Sequence, residues 1–357
     1  MSDKHSTGPQ SGRNLMDRRN FLISTAGLTV LPAGLDMSFL GAAKAADNRL
    51  VAFVHTQAAG DNGPVDSMLA RLNELKTKYG VTARDIYAQD PATYNSIFRT
   101  LGTAGASVVA TAFPQVTEAV KAAAPMFPKT KFVHLFADPI EPPIPNLVTV
   151  SYDYYLGCYL SGLFGATISK SGKLGHIQGA AQPPLIADFN AMKAGAAAAT
   201  RPAEVTSAVA GSFQDPAKGR EIANQMYQSG IDYIQTDSAA TDSGVIQAAN
   251  EGPGRLVSAI SEAQYKLGPK TIVSLVKLDF GLSLYLQIES ALGPDFKAGH
   301  IKSGLNDGVV DFVLSPTFLE QGDADTATRA KAAWPVIEDA KKRIVAGTLQ
   351  VPFITKA

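Results

Sequence analysis

From residue 50 onward, short apolar runs alternate with longer segments whose apolar positions recur every three to four residues. Leu50–Thr56 reads as a strand, and Pro64–Tyr79 sets Met68, Leu69, Leu72 and Leu75 on one helical face. Strands are expected at Arg84–Ala88, Ser107–Phe113 and Lys131–Ala137, with helical stretches over 92–104 and 115–126 between them. Leu147–Tyr152 closes this first set. A second set follows: helix 155–169, strand Lys173–Gln178, helix 184–199, strand Glu204–Ser212, helix 216–228 and strand Asp232–Thr236. Helix 243–250 and strands Leu256–Ile260 and Thr271–Lys277 complete it. Apolar strands alternating with helices imply parallel sheets covered on both faces. Two such sets predict an α/β chain of two doubly wound parallel-sheet lobes; the second repeats the architecture of the first, not its sequence.

The N-terminus breaks this pattern. Residues 1–17 are polar, and Asp17-Arg18-Arg19-Asn20-Phe21-Leu22 then precedes a weakly apolar run to about Ala43. Ser24, Thr25, Gly27, Pro32 and Asp36 interrupt that run, which makes it a poor membrane span. It ends in Ala43-Lys44-Ala45-Ala46, small residues at the spacing a signal peptidase reads. Paired arginines before such a run form the twin-arginine export pattern, although Asp17 stands where such signals usually carry Ser or Thr. Residues 1–46 are therefore expected to be a cleaved leader and the protein to be periplasmic.

Charge then excludes some partners. The chain has 32 basic and 32 acidic residues. Residues 1–45 hold five of the basic and three of the acidic ones, leaving 27 against 29, a net charge of −2. Nothing in that balance favours nucleic acid or an anionic membrane. The one cysteine, Cys158, lies deep in the chain and inside a helix, so neither a disulfide framework nor a lipid anchor after the leader is expected. The five histidines are scattered without metal-ligand spacing, and no nucleophile turn, P-loop or zinc helix is present. No cofactor, metal or catalysis is expected.

Ligands of open parallel sheets sit at the carboxyl ends of the strands, and two lobes offer the cleft between them. In the first lobe those ends carry Asp61 and Asn62 within Gly60-Asp61-Asn62-Gly63, then Phe113 and Asp138. In the second they carry Phe213, Asp215, Asp237, Ser261 with Glu262, and Lys277. Each has a structural alternative. Phe113 and Phe213 suit a core as well as a stacking platform, and Asp61 and Asn62 suit a Gly-flanked turn. Asp215, Asp237 and Asp242 could cap the helices that follow. Lys277, an ammonium ending an apolar strand, is costly to bury without a partner.

Four stretches carry a resemblance. They are Tyr159-Leu160-Ser161-Gly162 with Lys170-Ser171-Gly172-Lys173-Leu174-Gly175; Gly211 through Gly219; Thr241-Asp242-Ser243-Gly244-Val245-Ile246; and Val273-Ser274-Leu275-Val276-Lys277. In this order the chain resembles the basic membrane protein family of ABC-transporter receptors, which includes purine nucleoside receptors. The resemblance implies a type I periplasmic-binding fold with three crossovers, lobe 1 over 47–150 plus 275–312 and lobe 2 over 151–274 plus 313–357. It implies a monomer that hands a small molecule to an inner-membrane ABC permease, with a sensor subunit or a secreted nucleoside-processing enzyme as alternatives. The ligand site would comprise Asp61, Asn62, Phe113, Phe213, Asp237, Asp242, Ser261, Glu262 and Lys277. Nucleoside-binding relatives carry Asp-x-Asp-Gln where this chain has Ser261-Glu262-Ala263-Gln264, so the carboxylate that grips ribose hydroxyls is replaced by a hydroxyl. The first loop also lacks their aromatic residue, whereas Lys277, which also reaches the sugar in relatives, is retained. The resemblance therefore points to a free nucleobase over a nucleoside.

Overall fold

The computed structural model describes residues 49–60, 63–294 and 296–356. Residues 45–357 cluster as one unit, and the expected leader at 1–46 lies outside the described residues. Asp61 and Asn62 do so as well.

Two six-stranded sheets organise the unit. The first contains β1 (Leu50–His55), β2 (Thr82–Tyr87), β3 (Val108–Ala112), β4 (Lys131–Leu135), β5 (Leu147–Tyr152) and β11 (Gly299–Ser303). Its order is β11-β5-β4-β3-β1-β2, and every pairing is parallel. The second contains β6 (Lys173–Gln178), β7 (Glu204–Val209), β8 (Tyr233–Asp237), β9 (Leu256–Ala259), β10 (Ile272–Leu278) and β12 (Val310–Leu314). Its order is β12-β10-β9-β8-β6-β7, with β12 alone antiparallel.

Both faces of each sheet are covered, which is why β1 is apolar without alternation. Val51 and Phe53 pack against Met68, Leu72 and Leu75 of α1 (Pro64–Tyr79) and Leu284 and Ile288 of α8 (Phe280–Leu292). Ala52 and Val54 face α2 (Tyr94–Thr103) and α3 (Thr117–Ala123) through Phe98 and Val120. In the second lobe α4 (Tyr154–Ile168), α5 (Pro183–Ala198) and α10 (Ala324–Val345) cover one face. There Trp334 stacks on Phe312. The other face takes α6 (Pro216–Gln228) and α7 (Asp242–Asn250); the short α9 (Pro316–Gln321) precedes α10.

Helices α4 and α5 cross through glycines. A Cβ on Gly162 would lie 1.9 Å from the Met192 carbonyl oxygen, and one on Gly195 would lie 1.9 Å from that of Tyr159. Only hydrogen at both positions lets the backbones approach this closely.

The chain passes between sheets three times, after β5, after β10 and after β11. By the strand register each passage leaves a carboxyl end, so the carboxyl ends of both sheets meet at the crossovers. Backbone bonds tie these segments together, Asp153 donating to Ser303 at 2.8 Å and Asp279 to Val309 at 2.7 Å. The expected boundary at 274/275 falls inside β10, which stays in the second sheet to Leu278, and residues 310–312 belong to β12 of that same sheet. The apolar pattern ends this strand at Lys277 and does not reveal the antiparallel partner that holds it.

Candidate functional site

On the first lobe the carboxyl ends of β3, β4 and β5 present a wall of rings. Phe113 stacks on Phe136 at 5.3 Å, Phe136 on Phe280 at 4.9 Å, and Tyr152 tilts against Phe136 at 4.6 Å. Phe113 and Phe136 hold φ at 77° and 55°, a region bulky L-residues avoid. Each directly follows its strand, so the turn that ends the strand also aims the ring. Phe113 therefore belongs to an aromatic cluster that remains half-buried, which joins its core and platform readings. Beside it, His55 at the end of β1 bonds the Gln57 carbonyl through Nδ1 at 2.6 Å, while buried Nε2 finds no partner among the described residues.

On the second lobe Phe213 packs against Gly179, where a Cβ would come within 2.3 Å of the ring. Its carbonyl accepts from Ala240 N at 3.0 Å, which fastens this loop to the turn after β8. Ala239 in that turn has φ 54°. Asp237 ends β8 with its carboxyl mostly covered, and burial together with the Asp242 charge raises its pKa to about 7. Asp242 is fully buried at the start of α7. It accepts from Ser238 N at 2.9 Å and Ser238 Oγ at 2.6 Å, and burial raises it to about 7 against those bonds. These bonds brace the turn. Asp215 caps α6 by accepting from Lys218 N at 3.0 Å.

Ser261 and its neighbours are also engaged locally. Ser261 Oγ accepts from Ala263 N at 3.2 Å, and Gln264 Oε1 accepts from Ser261 N at 3.1 Å, a reciprocal capping box on the turn Glu262–Leu267. Lys277 has partners: its Nζ is 3.3 Å from both Glu262 and Asp279. Burial lowers its pKa, but the two carboxylates outweigh this and leave it raised. The structure thus joins Lys277 to Glu262, and Phe213 to the turn braced by Asp242, with Asp237 at its base. Phe113 stands apart on the other lobe.

Several residues escaped the sequence reading. Phe136 falls inside the expected strand Lys131–Ala137 but lies just past β4, and Asp279 and Phe280 lie where the pattern predicts no helix. Asp188 is a buried carboxyl inside the apolar helix α5, and that placement was the available signal.

A surface cavity of about 800 Å³ lies at the opposite, amino end of β8–β10, lined by Lys170, Asp232, Arg255, Lys270 and Arg329. Lys170 and Arg329 pair with Asp325, and Arg255 bonds Asn224 and the Ala248 carbonyl. Its size does not make it the ligand site, because the crossovers and the strained strand ends are at the other end.

Comparison with known proteins gives a consistent picture. Residues 49–341 match the family model described as ABC transporter substrate-binding protein PnrA-like. Basic membrane protein A2 of Borrelia garinii is 29% identical over 262 residues, covering 71% of this chain and 76% of that protein. Basic membrane protein A of Borreliella burgdorferi is 31% identical over 232 residues, covering 63% and 68%. Among solved structures, an ABC-transporter solute-binding protein from Aeropyrum pernix superposes with TM-score 0.71 at 19% identity, covering 85% of this chain and 94% of that one. A protein described as a transcriptional activator of the comK gene from Bacillus halodurans gives 0.71 at 16%, covering 85% and 100%.

Proposed function

The chain belongs to the PnrA-like family of ABC-transporter substrate-binding proteins, and on that premise we propose that it captures a purine-type ligand, a free nucleobase in preference to a nucleoside, in its interlobe cleft. The observation that carries the preference is Ser261. Where nucleoside-binding relatives place a ribose carboxylate, this chain has a hydroxyl, and that hydroxyl is committed to a helix cap. The aromatic wall of Phe113 and Phe136 supports a flat ligand, because stacked rings favour another planar ring.

Binding proceeds by closure. Three crossovers tied by backbone bonds act as the hinge, ligand bridges the lobes, and the closed face is what a permease recognises. Asp61, Asn62, Phe113, Phe213, Asp237, Asp242, Ser261, Glu262 and Lys277 remain the proposed contacts, with Lys277 held at the hinge by Asp279. We assign export through the leader at 1–46, a periplasmic location and a monomer to the same reading. No helix among the described residues is long and apolar enough to cross a membrane. The fold is shared with a protein described as a transcriptional activator, so it does not by itself separate transport from sensing.

A thermal-shift screen of ligand-stripped protein against purine bases, nucleosides, pyrimidines and sugars tests this. Stabilisation by a base and not by its nucleoside is expected. Preference for the nucleoside would overturn the nucleobase assignment, and silence across all purines would overturn the ligand class.

A further inference from the structure

Behind the cleft wall of the second lobe, four polar side chains form a square on one face of the sheet. His176 and Gln178 of β6 stand beside Gln235 and Asp237 of β8, paired in the parallel ladder as His176 with Gln235 and Gln178 with Asp237. They face the layer of α4 and α5. Gln235 bonds Cys158 Sγ at 3.0 Å, the His176 ring lies 5.9 Å from Phe189, and the carboxyl of Asp188 meets that of Asp237. His176 and Gln235 are fully buried and Gln178 is 5% exposed. Even so, both ring nitrogens of His176, Oε1 of Gln178, Oε1 of Gln235 and Oδ2 of Asp237 have no hydrogen-bonding partner among the described residues. Unmet buried polar atoms are costly and rare in packed cores. Their concentration on one patch, with Asp237 reaching the cleft, is what a surface built to meet a ligand's polar edge requires.

The chemistry of that edge follows from the protonation states. Burial and the neighbouring Asp237 hold the Asp188 carboxyl well above the usual range, so it keeps its proton and donates to Asp237. Asp237 is left with Oδ2 as a buried acceptor that has no partner among the described residues. Burial keeps His176 neutral, its pKa lowered to about 3, so one ring nitrogen accepts while the other donates. His176 Nε2 and Asp237 Oδ2 are 4.0 Å apart, too far to bond each other and close enough for one ligand nitrogen to bond both.

We propose that Asp237, His176 and Gln178 form a specificity subsite that takes the amino-bearing edge of a heterocyclic ligand, with Asp188 positioning Asp237. This rests on the receptor reading above and narrows its ligand to a base carrying an exocyclic amino group. A site built to bond an N–H rejects the analogue that lacks it far more strongly than an apolar pocket rejects a missing methylene.

The test uses purified, ligand-stripped protein and matched pairs: adenine with purine, guanine with hypoxanthine, and cytosine with pyrimidin-2-one. Calorimetry should show the amino-bearing member binding at least tenfold tighter in every pair the protein takes. Asp237→Asn and Gln178→Leu should each erase that advantage. Asp188→Ala should weaken binding, and Asp188→Asn, which still donates to Asp237, should restore it. Gln178→Leu should also raise the melting temperature of the ligand-free protein, because it removes an unmet buried atom. A fall in that temperature overturns the subsite, since the amide would then be satisfied within the fold. Purine binding indifferent to the amino group and to these variants overturns the subsite and leaves the receptor reading standing. Cytosine bound and all purines refused sinks the purine reading and keeps the subsite. Refusal of every compound overturns both.

Discussion

Replacing Asp242 by Asn separates a bracing carboxyl from a ligand-binding one. In the folded protein this fully buried group holds its proton to about pH 7, because burial outweighs the bonds from Ser238. Unfolded, it releases the proton near its ordinary value of 3.8. Between those values the folded state binds more protons, so unfolding free energy falls as pH rises. The contribution is fully present below about pH 4 and is lost as pH rises through about 7. Three units at roughly 1.4 kcal/mol each bound the effect at about 4 kcal/mol. Asn keeps an acceptor toward Ser238 and cannot ionise. Urea unfolding of ligand-free wild type and Asp242→Asn at pH 5 and pH 8.5 should therefore show the wild type losing about 1–3 kcal/mol more than the variant across that interval. Equal losses would refute the reasoning. Ligand affinity at pH 5 should survive the substitution if the carboxyl only braces the turn, and should collapse if it touches ligand.

Three further outcomes follow from local geometry. Gly162→Ala forces a methyl against the Met192 carbonyl and should cost about 1–3 kcal/mol or more by thermal unfolding, while also loosening Asp188 on α5 and weakening ligand binding; an unchanged melting temperature would show that α4 and α5 can separate freely. Lys277→Ala should reduce affinity at least tenfold in calorimetry with stability altered by about 1 kcal/mol or less, since its ion pairs are partly exposed; unchanged affinity removes it from the site. Ser261→Asp keeps a competent helix cap and supplies a carboxylate, so stability should hold while affinity for a nucleoside rises relative to its base.

The sequence read well wherever burial on both faces made the pattern continuous. β5, β6, α1 and α6 have the expected bounds because their apolar runs or helical spacing are bordered by Pro, Gly or Asp. It failed after Lys277. Strand β11 is Gly-His-Ile-Lys-Ser, an edge strand half open to solvent, and β12 carries Asp311 within five residues and leaves Val313 and Leu314 half-buried, so neither shows the buried parallel-strand pattern. α8 begins directly after a crossover, a boundary set by tertiary path and not by composition. The site was legible as a list of strand ends and not as contacts. Asp215 and Ser261 are polar residues at the right positions whose side chains the local backbone claims first. The square of His176, Gln178, Gln235 and Asp237 exists only through the register of β6 against β8, which no single strand encodes.

Strained backbone and several unmet buried groups gather at one end of the sheets. Among the described residues the non-glycine positive φ angles occur at Phe113, Phe136 and Ala239, each just past the carboxyl end of a strand. The raised carboxyls Asp188, Asp237 and Asp242 gather at the same end of the second sheet, together with unmet atoms of His176 and Gln178. Strained backbone and unsatisfied buried groups each cost on the order of 1–3 kcal/mol, and nothing in folding alone would collect them there. Stability is supplied elsewhere, by sheets covered on both faces and by a helix crossing close enough to require glycine. A fold that gathers its backbone strain at the strand ends beside its crossovers is arranged for those surfaces to meet something that relieves it, which is the physical content of the ligand-driven closure proposed above.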